Sequence, residues 1–307
     1  MSVTLVPAEA EAHLDWLAMT EAIAEGHRRP RAELGDTFLY RGDDTLLSRA
    51  AWIDGMGVAV KSATILPGNA RRGRPVINGA VSLFSDATGE LEALVDFHLV
   101  TKWKTAADSL LAARRLAMPD PAAILICGAG AVAASLTEAY RAAFPAARLA
   151  IWNRTRSKAE ALAQATGAIL AANLEGAARA ADIISCATMS SEPILKGAWL
   201  RPGQHIDLIG AFRPDMREAD DAAVQRARLF VDSRDTTLDH IGELKDPLAR
   251  GIITREDIVA DYYELDAFER APEDITLFKN GGGAHLDLMV ARHIHGRWQD
   301  ARKGDGL

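Results

Sequence analysis

The apolar positions of this chain follow two rhythms, one on each side of a Pro-Asp-Pro segment at residues 119–121. Before it, "AEAHLDWLAMTEAIAEGHRRP" sets Leu14, Leu17 and Ile23 at helical spacing and stops at glycine and proline, which predicts an N-terminal helix. Short apolar runs follow: "DTFLYRG", "DTLLSRAAWI", "GVAVKSATIL" and "PVINGAVSLFSDATGELEALVDF". Runs of this length bounded by Gly, Asn and Asp predict a largely antiparallel sheet. "TKWKTAADSLLAARRLA" then predicts a helix that crosses into a second domain.

Beyond the prolines, "AAILICGAG", "ARLAIWN", "GAILAAN", "ADIISCAT", "QHIDLIGA" and "ARLFVDS" are strand candidates separated by alanine-rich helical stretches. Strand and helix in alternation predict a parallel sheet with helices on both faces. The closing "TLFKNGGGAHLDLMVARHIHGRW" predicts a glycine turn and a helix returning to the first domain. The fold class is therefore α/β: a Rossmann-type doubly wound parallel sheet plus a smaller α+β domain. The divisions are placed at 1–118 with 288–307, and at 119–287.

Composition narrows the function classes. A net charge of −7 excludes bulk nucleic-acid affinity, which needs a concentrated basic surface. Residues 121–137 carry no ionised group, but "ILICGAG" fits a buried strand and glycine turn rather than a membrane helix. The N-terminus lacks a basic leader with a long apolar core, so a cytoplasmic location is expected. Cys127 and Cys186 lie in apolar strand-like runs and are expected as buried thiols. No His-Glu-x-x-His or Cys-x-x-Cys occurs, and no metal site is expected.

The strongest local chemistry is Gly128-x-Gly130-x-x-Ala133 between a predicted strand and a predicted helix. The first glycine permits a tight turn, the second lets a pyrophosphate approach the backbone, and the third small residue lets the helix lie close to the sheet. An NAD-binding unit usually carries an acidic residue at the end of the next strand, and that charge would repel a 2′-phosphate. Here Asn153 stands there, followed by Arg154, Thr155, Arg156 and Lys158. These donors favour NADP(H), with NAD(H) usable; the alternative is a solvated basic loop opening a helix. In the first domain, Lys61 lies in an alternating strand and either faces solvent or serves an anion or a catalytic step. Lys104 and Arg49 are open to the same two readings, and Lys104 has ordinary cationic neighbours in Lys102 and Arg114.

Taken in order, "KSATILPGN", "TKWKTAADSLLAARRLA", "CGAGAVA", "WNRT", "LIGAFRPDMREAD", "VDSRDTTLDHIGEL" and "TLFKNGGGAHLDL" resemble the ornithine cyclodeaminase and mu-crystallin family over nearly the whole chain. The resemblance implies a substrate-binding and dimerisation domain, a dinucleotide-binding domain and a homodimer. It implies Lys61 as the substrate-contacting lysine and Lys104 where most members supply a carboxylate-binding arginine. Arg49 replaces a common methionine and is expected to restore a guanidinium to the pocket. On the cofactor side it implies Thr105, Gly128, Gly130, Ala131, Val132, Asn153, Arg154, Thr155, Lys158, Ala187, Thr188, Met189, Ile209, Lys279 and Asn280. "WNRT" matches the form seen in NADPH-binding members.

One departure separates activities. Ornithine cyclodeaminases carry an aspartate in "IGxD", whereas this chain reads Ile209-Gly210-Ala211-Phe212. Phe212 cannot accept a proton or pair with an ammonium, but it can pack on a substrate ring. Reduction of a cyclic ketimine carboxylate, foremost Δ1-pyrroline-2-carboxylate to proline, is the leading expectation, with Lys61 as proton donor. Ornithine cyclodeamination, a mu-crystallin-type NADPH and small-ligand binding protein, and an alanine dehydrogenase-like activity are the alternatives. "ADYYELDAFERAP" replaces the family's "AELGE" stretch at the substrate rim.

Overall fold

A computed structural model describes residues 3–304. The chain forms two compact units, Met1–Lys104 with Gly283–Leu307, and Thr105–Gly282. The division runs inside a helix between Lys104 and Thr105, and at Gly283, whereas the sequence reading puts it after Met118 and after Asp287. A helix that continues without interruption carries no turn signal where the packing changes.

The first unit starts with β1 (Thr4–Val6) and helix α1 (Trp16–His27), which Asp15 caps by accepting the Ala18 N–H at 2.8 Å. Strands β2 (Glu33–Arg41), β3 (Asp44–Ile53), β4 (Gly57–Ile65), β5 (Ile77–Phe84) and β6 (Leu91–Asp96) follow, then α2 (Phe97–Leu116). The six-stranded sheet runs β1-β6-β5-β4-β3-β2, antiparallel except for the parallel pairing of β1 with β6. Directly opposed residues share a face, so Asp36, Arg49, Lys61, Val81 and Val95 form one row across five strands.

In the second unit, β7 (Ala123–Cys127), α3 (Ala131–Ala143), β8 (Arg148–Trp152), α4 (Arg156–Thr166), β9 (Ile169–Leu170) and α5 (Leu174–Ala180) come first. They are followed by β10 (Ile183–Cys186), β11 (His205–Leu208), α6 (Asp221–Arg226), β12 (Arg228–Val231), α7 (Arg234–Thr237), α8 (Gly242–Ala249), β13 (Ile258–Ala260) and β14 (Thr276–Lys279). All pairings of the eight-stranded sheet, β13-β12-β14-β11-β10-β7-β8-β9, are parallel. Its core joins Leu125, Ile184, Ile206, Leu208, Leu229 and Leu277 from five central strands. Cys127 and Cys186 are buried register partners on β7 and β10, both free thiols.

The chain then returns to the first unit through α9 (Ala284–Gly304), which packs on β3, β4, β5 and α1. Strands β1, β13 and β14 lie outside the predicted set. β14 ends in a lysine that is buried, a residue type that does not mark a central strand in the sequence. Among the described residues, no helix is long and apolar enough to cross a membrane.

Candidate active site

Lys61 resolves the ambiguity of its strand. It points to the covered face and is only 7% exposed. Its ammonium donates to Asp287 Oδ1 on α9 and to the Thr101 hydroxyl on α2, both at 2.9 Å, and stands 4.7 Å from the centre of the Phe97 ring. Burial lowers its pKa below the ordinary lysine value; the Asp287 charge works against that, while Lys104 and Arg49 add to the lowering. Asp287, 1% exposed, is the partner that sequence reasoning missed. The available signal was an acid inside the apolar run "AHLDLMVA".

Lys104 is half-buried near the start of α2. Arg49 stands directly opposite Lys61, but its guanidinium already grips Asp36, with Nε and Nη2 at 3.0 and 2.8 Å from Oδ2. Nε and Nη2 of the fork are thus committed across the β2–β3 pair, because opposed strand residues lie within side-chain reach. His285, in the first turn of α9, is buried, and neither ring nitrogen has a hydrogen-bond partner among the described residues. Burial, followed by the charges of His27, Lys104, Arg49 and Arg31, pushes its pKa well below the ordinary histidine value.

In the second unit, β7 is followed by Gly128, whose N–H donates to the Trp152 carbonyl at 2.8 Å. Gly128 adopts φ +132°, and a Cβ there would lie 2.6 Å from the Ala187 carbonyl oxygen. Gly130 caps α3 without a side-chain bond, and a Cβ on it would meet nothing within 4 Å. A helix N-terminus with exposed Gly130 and Ala131, half-buried Val132 and open space above it fits the pyrophosphate of a dinucleotide. After β8, the Asn153 amide donates to the Thr155 carbonyl at 3.0 Å and shapes the turn into α4. Arg154, Thr155, Arg156 and Lys158 are exposed, and none of the three cations has a carboxylate partner among the described residues.

The segments after β10 and β11 meet on a buried carboxylate. Ala187 donates to the Cys127 carbonyl, and Ile209 to that of Cys186. The Thr188 N–H and hydroxyl both donate to Glu218 Oε1 at 2.7 Å, while the Gly210 N–H reaches Oε2 at 2.6 Å. Burial, then the charge of Glu243, pushes the Glu218 pKa up, against the pull of Lys279 and the Thr188 donors. Met189 and Phe212 at the tips of these segments are 76% and 58% exposed.

Lys279 is fully buried, and its ammonium donates to the Leu208 carbonyl at 2.8 Å. Its charge favours the ionised forms of Asp207, Glu218 and Glu243. Asn280 is turned inward as well, donating to the Thr105 carbonyl and the Ser109 hydroxyl at 3.1 and 3.0 Å. Glu218, Glu243 and Asp207 carried no local sign of these roles in the sequence.

A profile of the ornithine cyclodeaminase/mu-crystallin family matches residues 51–302. The Δ1-pyrroline-2-carboxylate reductase of Paracoccus denitrificans is 50% identical over 296 residues, covering 93% of this chain and 94% of the relative. The ketimine reductase mu-crystallin of Rattus norvegicus is 33% identical over 249 residues, covering 80% and 77%. Among solved structures, an archaeal alanine dehydrogenase dimer with bound NAD superposes with a TM-score of 0.87 at 25% identity, covering 98% of each chain. By the extent of the match and by these identities, the chain belongs to the ornithine cyclodeaminase/mu-crystallin family.

Proposed function

We propose that this chain is a nicotinamide-dependent imine reductase that prefers NADPH and converts Δ1-pyrroline-2-carboxylate to L-proline. The observation that carries the reading is the buried Lys61–Asp287 pair at 2.9 Å, together with 50% identity to a reductase of that substrate. When bound, the reduced nicotinamide supplies a hydride to the C=N carbon. Lys61 gives one proton to the ring nitrogen, so that the C=N bond becomes CH–NH. Desolvation makes that ammonium a better acid than an exposed lysine, and Asp287 keeps it charged until transfer. Lys104 and the remaining guanidinium nitrogen of Arg49 supply positive charge for the carboxylate.

Two further features support the finer parts of the reading. Exposed Arg154, Arg156 and Lys158 after β8, without a carboxylate partner among the described residues, favour a 2′-phosphate, and Asn153 brings no opposing charge. Exposed Phe212 offers an apolar surface to a ring and no base for a distal amine, which disfavours cyclodeamination. A homodimer belongs to the same reading. The edge strand β2 exposes Leu34, Phe38, Leu39 and Tyr40, surface that a second copy would cover, and the archaeal relative is a dimer.

The test is oxidation of NADPH on adding Δ1-pyrroline-2-carboxylate, with NADH and ornithine as comparisons. Wild type is expected to consume NADPH with a higher kcat/KM than NADH and to release no ammonia from ornithine. Lys61→Met should lose about 10²–10⁴-fold in kcat while still binding NADPH in a fluorescence titration. Undiminished turnover in that variant would remove Lys61 from the chemistry.

A further inference from the structure

We infer that Glu218 is a positioning residue: its buried carboxylate sets the segment after β10 (Ala187–Met189) against the segment after β11 (Ile209–Phe212), holding both beside the glycine turn. The inference rests on the proposed reductase reading for its effect on turnover, but not for its structural content.

Four donors from two segments converge on this one side chain. Oε1 accepts the N–H and hydroxyl of Thr188, both at 2.7 Å. Oε2 accepts the N–H of Gly210 at 2.6 Å and of Ala211 at 3.3 Å. Glu218 is in turn held by a second buried acid, because Glu243 accepts the N–H groups of Glu218 and Ala219 at 2.8 and 3.0 Å. The segments are pressed together as well as bonded: a Cβ on Gly210 would stand 1.8 Å from the Thr188 carbonyl oxygen. On the other side, Ala187 closes against Gly128, so the brace reaches the turn that opens α3.

Two buried acids are a costly way to fill space, since an apolar side chain would pack there without desolvating a charge. A carboxylate offers what an apolar residue lacks, acceptors enough for both segments at once. Neither segment can shift alone without abandoning bonds to the shared group. The exposed side chains of Met189 and Phe212 thereby stand in fixed places at the carboxyl ends of adjacent strands, where ligands of doubly wound sheets bind.

Glu218→Gln tests this. Glutamine keeps the size but offers one acceptor oxygen, and its amide NH₂ faces two of the donors. In hydrogen–deuterium exchange without cofactor, the Thr188, Gly210 and Ala211 amides should exchange at least about tenfold faster than in wild type, while those of β7 and β10 keep their protection. The kcat for pyrroline-2-carboxylate should fall about tenfold or more, with the Kd for NADPH within about twofold. Thr188→Val, which removes one donor, should give a smaller change in the same direction and guards against an unfolded glutamine variant. Unchanged exchange at the three amides would overturn the brace, as would equal loss of protection across the sheet. Altered exchange with wild-type kcat would overturn its positioning role. Should wild type fail to reduce the imine, the reductase reading falls, and exchange alone still decides the brace.

Discussion

At the scale of single residues, strand alternation left open whether Lys61 faces solvent, and a contact places it in the interior. Asp287 lies 226 positions away in sequence, yet it meets the Lys61 ammonium because α9 packs on β4. The pairing has a consequence for pH dependence. The Asp287 charge raises the Lys61 pKa against the lowering by burial, so Asp287→Asn should lower it further. If Lys61 must be protonated to turn over, the alkaline limb of the kcat profile moves to lower pH, by about 1–3 units. A pH–rate profile of the variant checks this, and a limb at the wild-type position would separate Lys61 protonation from turnover. Lys279 and Asn280 show the converse: each residue type suits a ligand, but each has its side-chain donors engaged by the protein itself.

Among the elements, the strand–turn–helix over β7 and α3 was legible because all its requirements are local: a β-rich run, a positive-φ glycine and small residues opening the helix. For the segments after β10 and β11 the resemblance offered residues, but not the bonds that join them, since their shared partner Glu218 and its own partner Glu243 are set by the fold. Glycine substitutions separate the two situations. Gly210→Ala drives a Cβ into the Thr188 backbone and should cost about 1–3 kcal/mol or more. Gly296→Ala, inside α9 with nothing within 4 Å, should stabilise by about 0.5–1 kcal/mol. Thermal melts of the two variants should therefore move in opposite directions; a neutral Gly210→Ala would mean that the loops part easily.

For the whole molecule, stability in acid should follow buried histidines. Burial, aided by the charge of Arg270, lowers the His205 pKa to about 3, so the folded state keeps this ring neutral where the unfolded chain protonates it. The contribution is therefore intact above about pH 6.5 and is lost progressively as pH falls towards 3. His205→Leu removes that proton uptake. Between pH 7 and pH 5, wild type should lose about 2 kcal/mol more unfolding free energy than the variant, measured by urea titration. Equal losses would mean that His205 is not neutral in the folded protein.

The sequence by itself determined the two architectures, the parallel one carrying a glycine turn and a basic segment over 153–158, because these depend on residues close in the chain. The tertiary structure alone decided which charged groups are withdrawn from water and which partners they meet there. Lys61 with Asp287, and Glu218 with Thr188 and Gly210, are brought together across long stretches of chain. The physical reason is desolvation: a charge withdrawn from water must find its partner wherever packing places one, and only the folded chain says where that is.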